Sequence, residues 1–339
     1  MKKILFILYI ICFNNLFAQD IHFSQFNDLP LALNPALVGN MDGTFRSGLI
    51  YRNQWNSVSV PFESTGLFAD FKSSPKFLNN ETIGWGIQLL NDRSGSGGLN
   101  DNIFSLCGSY QKFLTERKDQ VLTYGISLIG LQKSIDISKI NFEDEFQWEI
   151  GNFGSFSSNE LLENNSLLKF DFGTGASWTY FNDYGYQLTT GVSVFHLNRP
   201  NISLSGNEDL LGRKFNIHAS GIYPLNRRVD IDPSFVYSRQ TKNNNFVLGT
   251  DILYNLGRKT VEKIDFKLGV YGRLKEAMNF TIGMNHDNWS IDIGYDLNVS
   301  SLVPVTRTRG AFEISISYVN RMFRGAKNMI YVIPGDRLL

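Results

Sequence analysis

His22, His196, His218 and His286 are the first residues to examine for chemistry, and no two of them stand at a metal-ligand spacing. No Gly-x-Ser-x-Gly elbow is present, although Asp, His and Ser from separate strands can assemble a hydrolase site that a linear reading does not reveal. Ser94-Gly95-Ser96-Gly97-Gly98 has the composition of a phosphate loop but lacks the Gly-Lys-Ser/Thr ending, so it reads as a flexible turn. The acidic run Glu143-Asp144-Glu145-Phe146-Gln147-Trp148-Glu149 lacks the turn-enforced alternation of carboxylates that Ca²⁺ requires. Its aromatic residues, Phe146 and Trp148 with Phe142 beside them, suit either a protein-binding rim or a solvated loop folded over an opening. Arg52-Asn53-Gln54-Trp55 is a second dense block. Arg52 has enough donors to tie down a neighbouring segment, or Arg46 and Arg52 can pair with acids such as Glu313. None of these residues points to catalysis, a cofactor or a bound metal, and the elements that position them carry more information.

The chain has 339 residues, with 32 Lys+Arg against 32 Asp+Glu and a formal charge of +0. That balance argues against a nucleic-acid partner, which would select a basic stripe. Only 19% of residues are charged while 14% are aromatic and 30 are Gly, a mixture that favours strands over helices. With 9 Pro, collagen-like and Pro-rich disordered classes are excluded. Met1-Lys2-Lys3, the apolar run Ile4 to Phe13 and Leu16-Phe17-Ala18 read as a secretory signal over 1–18, with the mature chain starting at Gln19. Asn14-Asn15 interrupt the run too early for a membrane anchor. Loss of Lys2 and Lys3 with no acid takes the mature charge from +0 to −2. Cys12 goes with the signal and Cys107 remains, so an internal disulfide is excluded.

Period-two alternation dominates the mature chain. Met278, Phe280, Ile282 and Met284 alternate with Asn279, Thr281, Gly283 and Asn285, and Ile291, Ile293, Tyr295 and Leu297 with Asp292, Gly294, Asp296 and Asn298. Strands are expected near 43–55, 65–72, 82–91, 102–113, 121–133, 168–180, 186–197, 214–224, 229–240, 245–256, 263–274, 277–287, 289–298 and 310–320. That is about fourteen (12–16), many near the 9–11 residues that a tilted strand needs to cross a bilayer. The polar face carries Asp251, Asp265, Lys267, Arg273, Asp292, Asp296 and Glu313. A dry core cannot accept so many charges, whereas a barrel lumen can, with the apolar face turned to lipid. Trp55, Trp178, Tyr180, Tyr186, Trp289 and Tyr318 fall near strand ends, where interfacial girdles lie. The expected fold is an all-β, transmembrane antiparallel β-barrel of the bacterial outer membrane over 43–320. A periplasmic N-terminal segment, 19–42, and a periplasmic tail, 321–339, are expected to lie outside it. The long connections, among them 134–167, 198–213 and 299–309, should then face outward.

In the leading segment, Phe23-Ser24-Gln25-Phe26 and Leu31-Ala32-Leu33-Asn34-Pro35-Ala36-Leu37-Val38-Gly39 are followed by Tyr51-Arg52-Asn53-Gln54-Trp55. Together these resemble the PorP/SprF family, outer-membrane proteins of the type IX secretion system of Bacteroidetes. Asn91-Asp92 with Gly95, Phe170-Asp171-Phe172-Gly173 and Gly310 to Tyr318 extend the resemblance over nearly all of the mature chain. The resemblance implies a non-enzymatic barrel, exported through Sec. It would support secretion or surface attachment of one adhesin-like client bearing a C-terminal sorting domain, in some members for gliding motility. The partners implied are the secretion machinery and that client. The residues expected to carry the family motif or partner contacts are Phe23, Ser24, Gln25, Asn34, Pro35, Gly39, Arg52, Asn53, Gln54, Trp55, Phe146 and Trp148. The polar lumen leaves a porin-like channel for small solutes as the alternative. The tail begins with Arg321, Arg324 and Lys327 and ends on Leu338-Leu339 rather than an aromatic, so it reads as a docking segment or as a frayed end.

Overall fold

The alternation along each expected strand leaves one row of side chains needing lipid and the other needing polar partners, and closing the sheet satisfies both. A computed structural model describes residues 20–56, 60–78, 81–95, 98–136, 146–147, 152–153, 165–256 and 264–320. Its strands are β1 (Phe45–Gln54), β2 (Phe62–Ser73), β3 (Thr82–Ser94), β4 (Leu99–Phe113), β5 (Gln120–Ser134), β6 (Phe146–Gln147), β7 (Asn152–Phe153), β8 (Ser166–Phe181), β9 (Gln187–Phe195), β10 (Lys214–Pro224), β11 (Val229–Gln240), β12 (Asn243–Asn255), β13 (Ile264–Arg273), β14 (Ala277–His286), β15 (Trp289–Asn298) and β16 (Arg309–Asn320). All but β6 and β7 form one closed barrel in which each strand pairs with its sequence neighbours and β1 pairs with β16. That is the expected fourteen-stranded antiparallel barrel. β6 and β7 form a separate two-stranded pair within the connection from β5 to β8. The signal at 1–18, the tail at 321–339, Trp148 and most of the acidic run lie outside the described residues.

The barrel is inside-out relative to a soluble protein. Ile126 is 69% exposed, Ile282 67% and Phe170 64% on the outer wall, whereas Asp70, Asp171 and Glu313 inside are 0% exposed. The register places Arg52 of β1 opposite Glu313 of β16, so the two charges meet where the sheet closes. Aromatic pairs gather near the barrel end where β1 starts: Trp178 stacks on Tyr180 at 6.2 Å, and Trp289 leans on Tyr318 at 4.8 Å. At that end the connections 182–186, 225–228 and 287–288 are short, with Asp287 in the left-handed region (φ 52°) and the Asn226 side chain accepting from the Arg228 and Val229 amides. The opposite end carries the long connections 135–165, 196–213 and 299–308.

Residues 20–41, expected outside the barrel, lie inside its ring of strands. A 3-10 turn at Phe26–Asp28, a short helix at Pro30–Leu33 and a second turn at Pro35–Leu37 make up this plug. Phe23, Leu29, Leu31 and Val38 pack against Ile50, Phe68, Leu90 and Cys107 of one wall, and Phe26 and Leu33 against Val236, Val247 and Tyr271 of another. The physical reason is that a lumen with this many inward charges and hydroxyls needs partners, and the plug supplies backbone and side-chain groups that water would otherwise provide. Where the plug comes nearest, the wall has glycine. A Cβ on Gly84 would stand 2.6 Å from the Val38 carbonyl oxygen, and one on Gly125 would overlap the Pro35–Ala36 peptide.

Candidate functional site: a lumen filled by the chain's own N-terminal segment

Arg52 is the centre of the seal. Its guanidinium pairs with Glu313 and, at 2.9 Å, with Asp296, and it donates to Ser24 Oγ at 3.1 Å. Glu313 accepts from the backbone amides of Ser24 (2.8 Å) and Gln25 (3.0 Å), one on each carboxylate oxygen. Ser24 Oγ donates to Asp296 at 2.8 Å and accepts from Arg273 Nη2 at 2.9 Å. Two arginines thus face two carboxylates around one serine, so the buried charge is balanced and the lone pairs are engaged, as a buried ion pair requires. The Gln25 amide bridges Asp28 (2.9 Å) and the Gly294 amide (3.2 Å) in the orientation that satisfies both its ends.

Asn34 is the second anchor. Its Nδ2 donates to the carbonyls of Ala176 and Val192, each at 3.1 Å, and meets His218 Nε2 at 3.0 Å, while Oδ1 accepts from the Ala36 amide at 2.8 Å. The last bond caps the turn that Pro35 opens, with the proline filling a position that needs no donor. Gly39 adopts φ 69°, and its amide donates to Asp70 at 2.7 Å. Asp70 also holds Arg46 at 2.9 Å, and Arg46 donates to the Leu37 carbonyl. Phe23, Ser24, Gln25, Asn34, Pro35 and Gly39 therefore act together as the contact surface of the plug.

The Arg52-Asn53-Gln54-Trp55 block is split. Arg52 reaches the plug and Gln54 supports it at 3.4 Å, whereas Asn53 bonds Tyr51 and Glu63 and Trp55 sits edge-on to Phe62. The two readings of Arg52, pairing with Glu313 and tying down a neighbouring segment, are realised together. Phe146 lies in the small β6–β7 pair, which is a sheet separate from that of the barrel.

A third cluster, which the sequence does not single out, holds the start of the plug. Asp20 contacts His196 Nε2 (2.9 Å), Lys214 (3.3 Å) and Gln240 (2.9 Å), and His196 Nδ1 pairs with Asp171. Burial works against the charged imidazole, but Asp20 and Asp171 more than offset it and push His196 up to about 9. Burial likewise disfavours the Asp20 carboxylate, yet Lys214 and His196 hold it well below the usual carboxylate range. A histidine between two carboxylates is here a bridging cation. Asp20, His196, Lys214 and Gln240 all belong to the end with long connections, whereas Lys72 Nζ donates to the Met41 carbonyl and Thr44 N to Asn320 O at the other end. The plug consequently runs the length of the lumen from one mouth to the other. Each cluster joins residues too far apart in sequence for any spacing rule to pair them: Ser24 and Glu313 are separated by 289 positions.

Known structures of similar shape are outer-membrane barrels. A TodX monoaromatic hydrocarbon channel mutant matches with a TM-score of 0.50 at 11% identity, covering 86% of this chain and 94% of that one. The toluene transporter TbuX of Ralstonia pickettii matches at 0.48 and 11% identity, covering 87% and 93%. BamA of Haemophilus ducreyi matches at 0.41 and 9% identity, covering 81% and 70%. These likenesses concern the fold alone. No curated protein matches in sequence. A family model does, over residues 15–318. It describes secretion-system membrane proteins rather than enzymes, and places the chain in the outer membrane with the secretion machinery as its associate. With a fourteen-stranded outer-membrane barrel and a family match along nearly its whole length, the chain belongs to the PorP/SprF family of type IX secretion system membrane proteins.

Proposed function

We propose that this barrel is a platform on which a secreted protein is exported or held at the cell surface, and that its rims rather than an open pore make the contacts. The observation that carries the reading is a lumen occupied from mouth to mouth by residues 20–41, which a simple porin has no use for. Residues 1–18 act as the Sec signal, and the end with short turns faces the periplasm, so the long connections reach the outside. The 135–165 connection, with Phe146 and Trp148 among acids, is the rim that engages one adhesin-like client through its C-terminal sorting domain. Gliding motility is the process this client would serve. The tail 321–339, basic at its start, docks periplasmic machinery; normal secretion after deletion of 325–339 would remove it from the account.

Affinity capture from detergent-solubilised outer membrane, with the tagged full-length protein as bait, tests the platform. Secretion-system components together with one large surface protein are the expected co-purified set. The barrel alone, in several mild detergents, would overturn the reading.

A further inference from the structure

The lipid-facing side of the wall does not pass from apolar to polar in the same way all round the barrel. Toward the end with long connections, exposed Leu49, Leu67, Leu89 and Phe104 on β1 to β4 give way to Tyr51, Thr65, Asn91 and Asn102. Alternation keeps each of these on the lipid side of its strand. The next positions outward are polar again, with Asn53, Glu63, Arg93 and Asn100, and β5 adds Gln132 and Ser134. The register makes this a continuous sheet surface: Thr65 stands opposite Asn91, Asn91 opposite Asn102 and Asn102 opposite Gln132. From Phe104 to Asn100 the tilted strand rises about 10 Å. β13 and β15 differ, because Val270, Leu274, Leu297 and Val299 keep their lipid side apolar and exposed to the outer end of the strand and just past it.

Hydrogen bonds hold the strip in one geometry. Asn91 Nδ2 donates to Asn100 Oδ1 and Asn102 Oδ1, each at 2.7 Å, and Asn102 Nδ2 donates to Gln132 Oε1 at 3.4 Å. Among the described residues, Asn91 Oδ1, Asn100 Nδ2 and Gln132 Nε2 are left for an outside partner. Glu63 is taken up by the Tyr51 hydroxyl (3.1 Å) and Asn53 Nδ2 (3.4 Å), and exposed Arg93 on the next strand balances its charge. The strip is therefore neutral overall and rich in carboxamides whose donors and acceptors are fixed in place. Hydrocarbon cannot satisfy such groups. A sugar can, because each of its hydroxyls both donates and accepts. The strip continues the lipid-contacting surface on the same strands with no loop between them. A lipid whose chains lie on Leu67, Leu89 and Phe104 consequently carries its head group onto Asn91, Asn102 and Gln132, and in the outer leaflet of a bacterial outer membrane that head group is a saccharide.

We propose that the outer strip of β1–β5 binds the saccharide head of an outer-leaflet glycolipid. The carboxamides of Asn91, Asn100, Asn102 and Gln132 bond its hydroxyls, and the acyl chains rest on the apolar row beneath. The glycolipid is thereby held on one side of the barrel, while the wall at β13 and β15 offers contact to chains alone. The surface is additional to the platform role, and neither requires the other.

Retention of lipopolysaccharide by the purified full chain, immobilised in mild detergent and read by mass spectrometry, is the test. Asn102→Ala, which removes the amide between Asn91 and Gln132, should weaken retention about fivefold. Gln132→Ala should act in the same direction and serves if the first variant fails to assemble, assembly being read from heat-modified mobility. Asn244→Ala, at the outer end of β12, should match the wild type, and phosphatidylglycerol should bind all four barrels equally. Equal retention of lipopolysaccharide by folded N102A, Q132A and wild type would overturn the site, since the apolar belt alone would then hold the lipid. An equal loss in N244A would overturn it too, as a general effect of rim substitution. Core oligosaccharide freed of its acyl chains should bind far more weakly than whole lipopolysaccharide; equal binding would make the ligand a soluble glycan instead. Client capture by N102A should stay at the wild-type level, so failure of this site and failure of the platform are read separately. Loss of the captured protein with lipopolysaccharide unchanged would make the strip a protein contact and overturn the assignment.

Discussion

Arg52 shows how much a single buried charge can organise. It contacts two acids and one plug hydroxyl, and replacing it with Leu leaves Glu313 and Asp296 with Arg273 as the remaining cation of the cluster. Breaking a buried pair from one side costs about 3–5 kcal/mol, so Arg52→Leu should lower the urea midpoint of the folded barrel by that equivalent. Glu313→Gln keeps the shape but sets an amide NH2 against a donor on one side, because each carboxylate oxygen accepts from a backbone amide, so it should lower the midpoint as well. A midpoint unchanged in Arg52→Leu would show that Arg273 alone neutralises both acids. The Asp20–His196 seat makes a pH prediction. His196 is raised to about 9 by Asp20 and Asp171, so its contribution is complete below the ordinary histidine range near 6.5 and disappears as pH climbs through about 9. Asp20 is depressed, so its contribution holds above the ordinary value of 3.8 and falls away in more acid solution. Asp171, Lys214 and Gln240 contact the pair, and Asp101 and Lys133 line the same pocket. The wild-type thermal midpoint, read from heat-modified mobility on gels, should decline between pH 7 and 10. His196→Gln should start lower and lose that decline.

The elements are governed by fit between a threaded segment and the wall that surrounds it. The second 3-10 turn rests directly on glycine backbone, and Gly125→Ala places a methyl group against the Pro35–Ala36 peptide. Overpacking of this sort costs about 1–3 kcal/mol. Gly108→Ala, where a Cβ meets nothing within 4 Å, is the matched control and should leave the urea midpoint unchanged. Equal effects at both positions would show that strand propensity, not contact with the plug, is being measured. The strands themselves were readable: 214–224, 229–240 and 289–298 fall on β10, β11 and β15 as expected. The differences have a common cause. β3 and β4 run on to Ser94 and from Leu99, beyond the expected 91 and 102, because Asp92–Asp101 and Arg93–Asn100 continue the ladder after the apolar alternation has stopped. Alternation records the lipid thickness, whereas hydrogen bonding extends past it into water.

At the scale of the whole molecule, an even number of strands returns both ends of the sheet to one side, while the plug begins at the other. A peptide tag inserted just ahead of Asp20 and one in 299–308 should therefore be cut by protease from the same side of the membrane, and a tag in 225–228 from the opposite side. In the proposed orientation the first two are accessible on intact cells and the third after permeabilisation. Cleavage of the Asp20 tag together with the 225–228 tag would mean that the segment is not threaded.

The amino-acid order by itself indicated about fourteen strands and which face of each meets lipid, because period-two alternation is a local rule, and it offered Glu313 as one of the acids that Arg46 or Arg52 could pair with. It also carried the family motif. What fills the lumen was decided only by the tertiary structure. Periodicity states that a face is polar but not whether water or protein will satisfy it. Glu313, Asp296 and Arg273 around Ser24, and Ala176, Val192 and His218 around Asn34, lie from 142 to 289 positions away and become neighbours only when the sheet has closed around them.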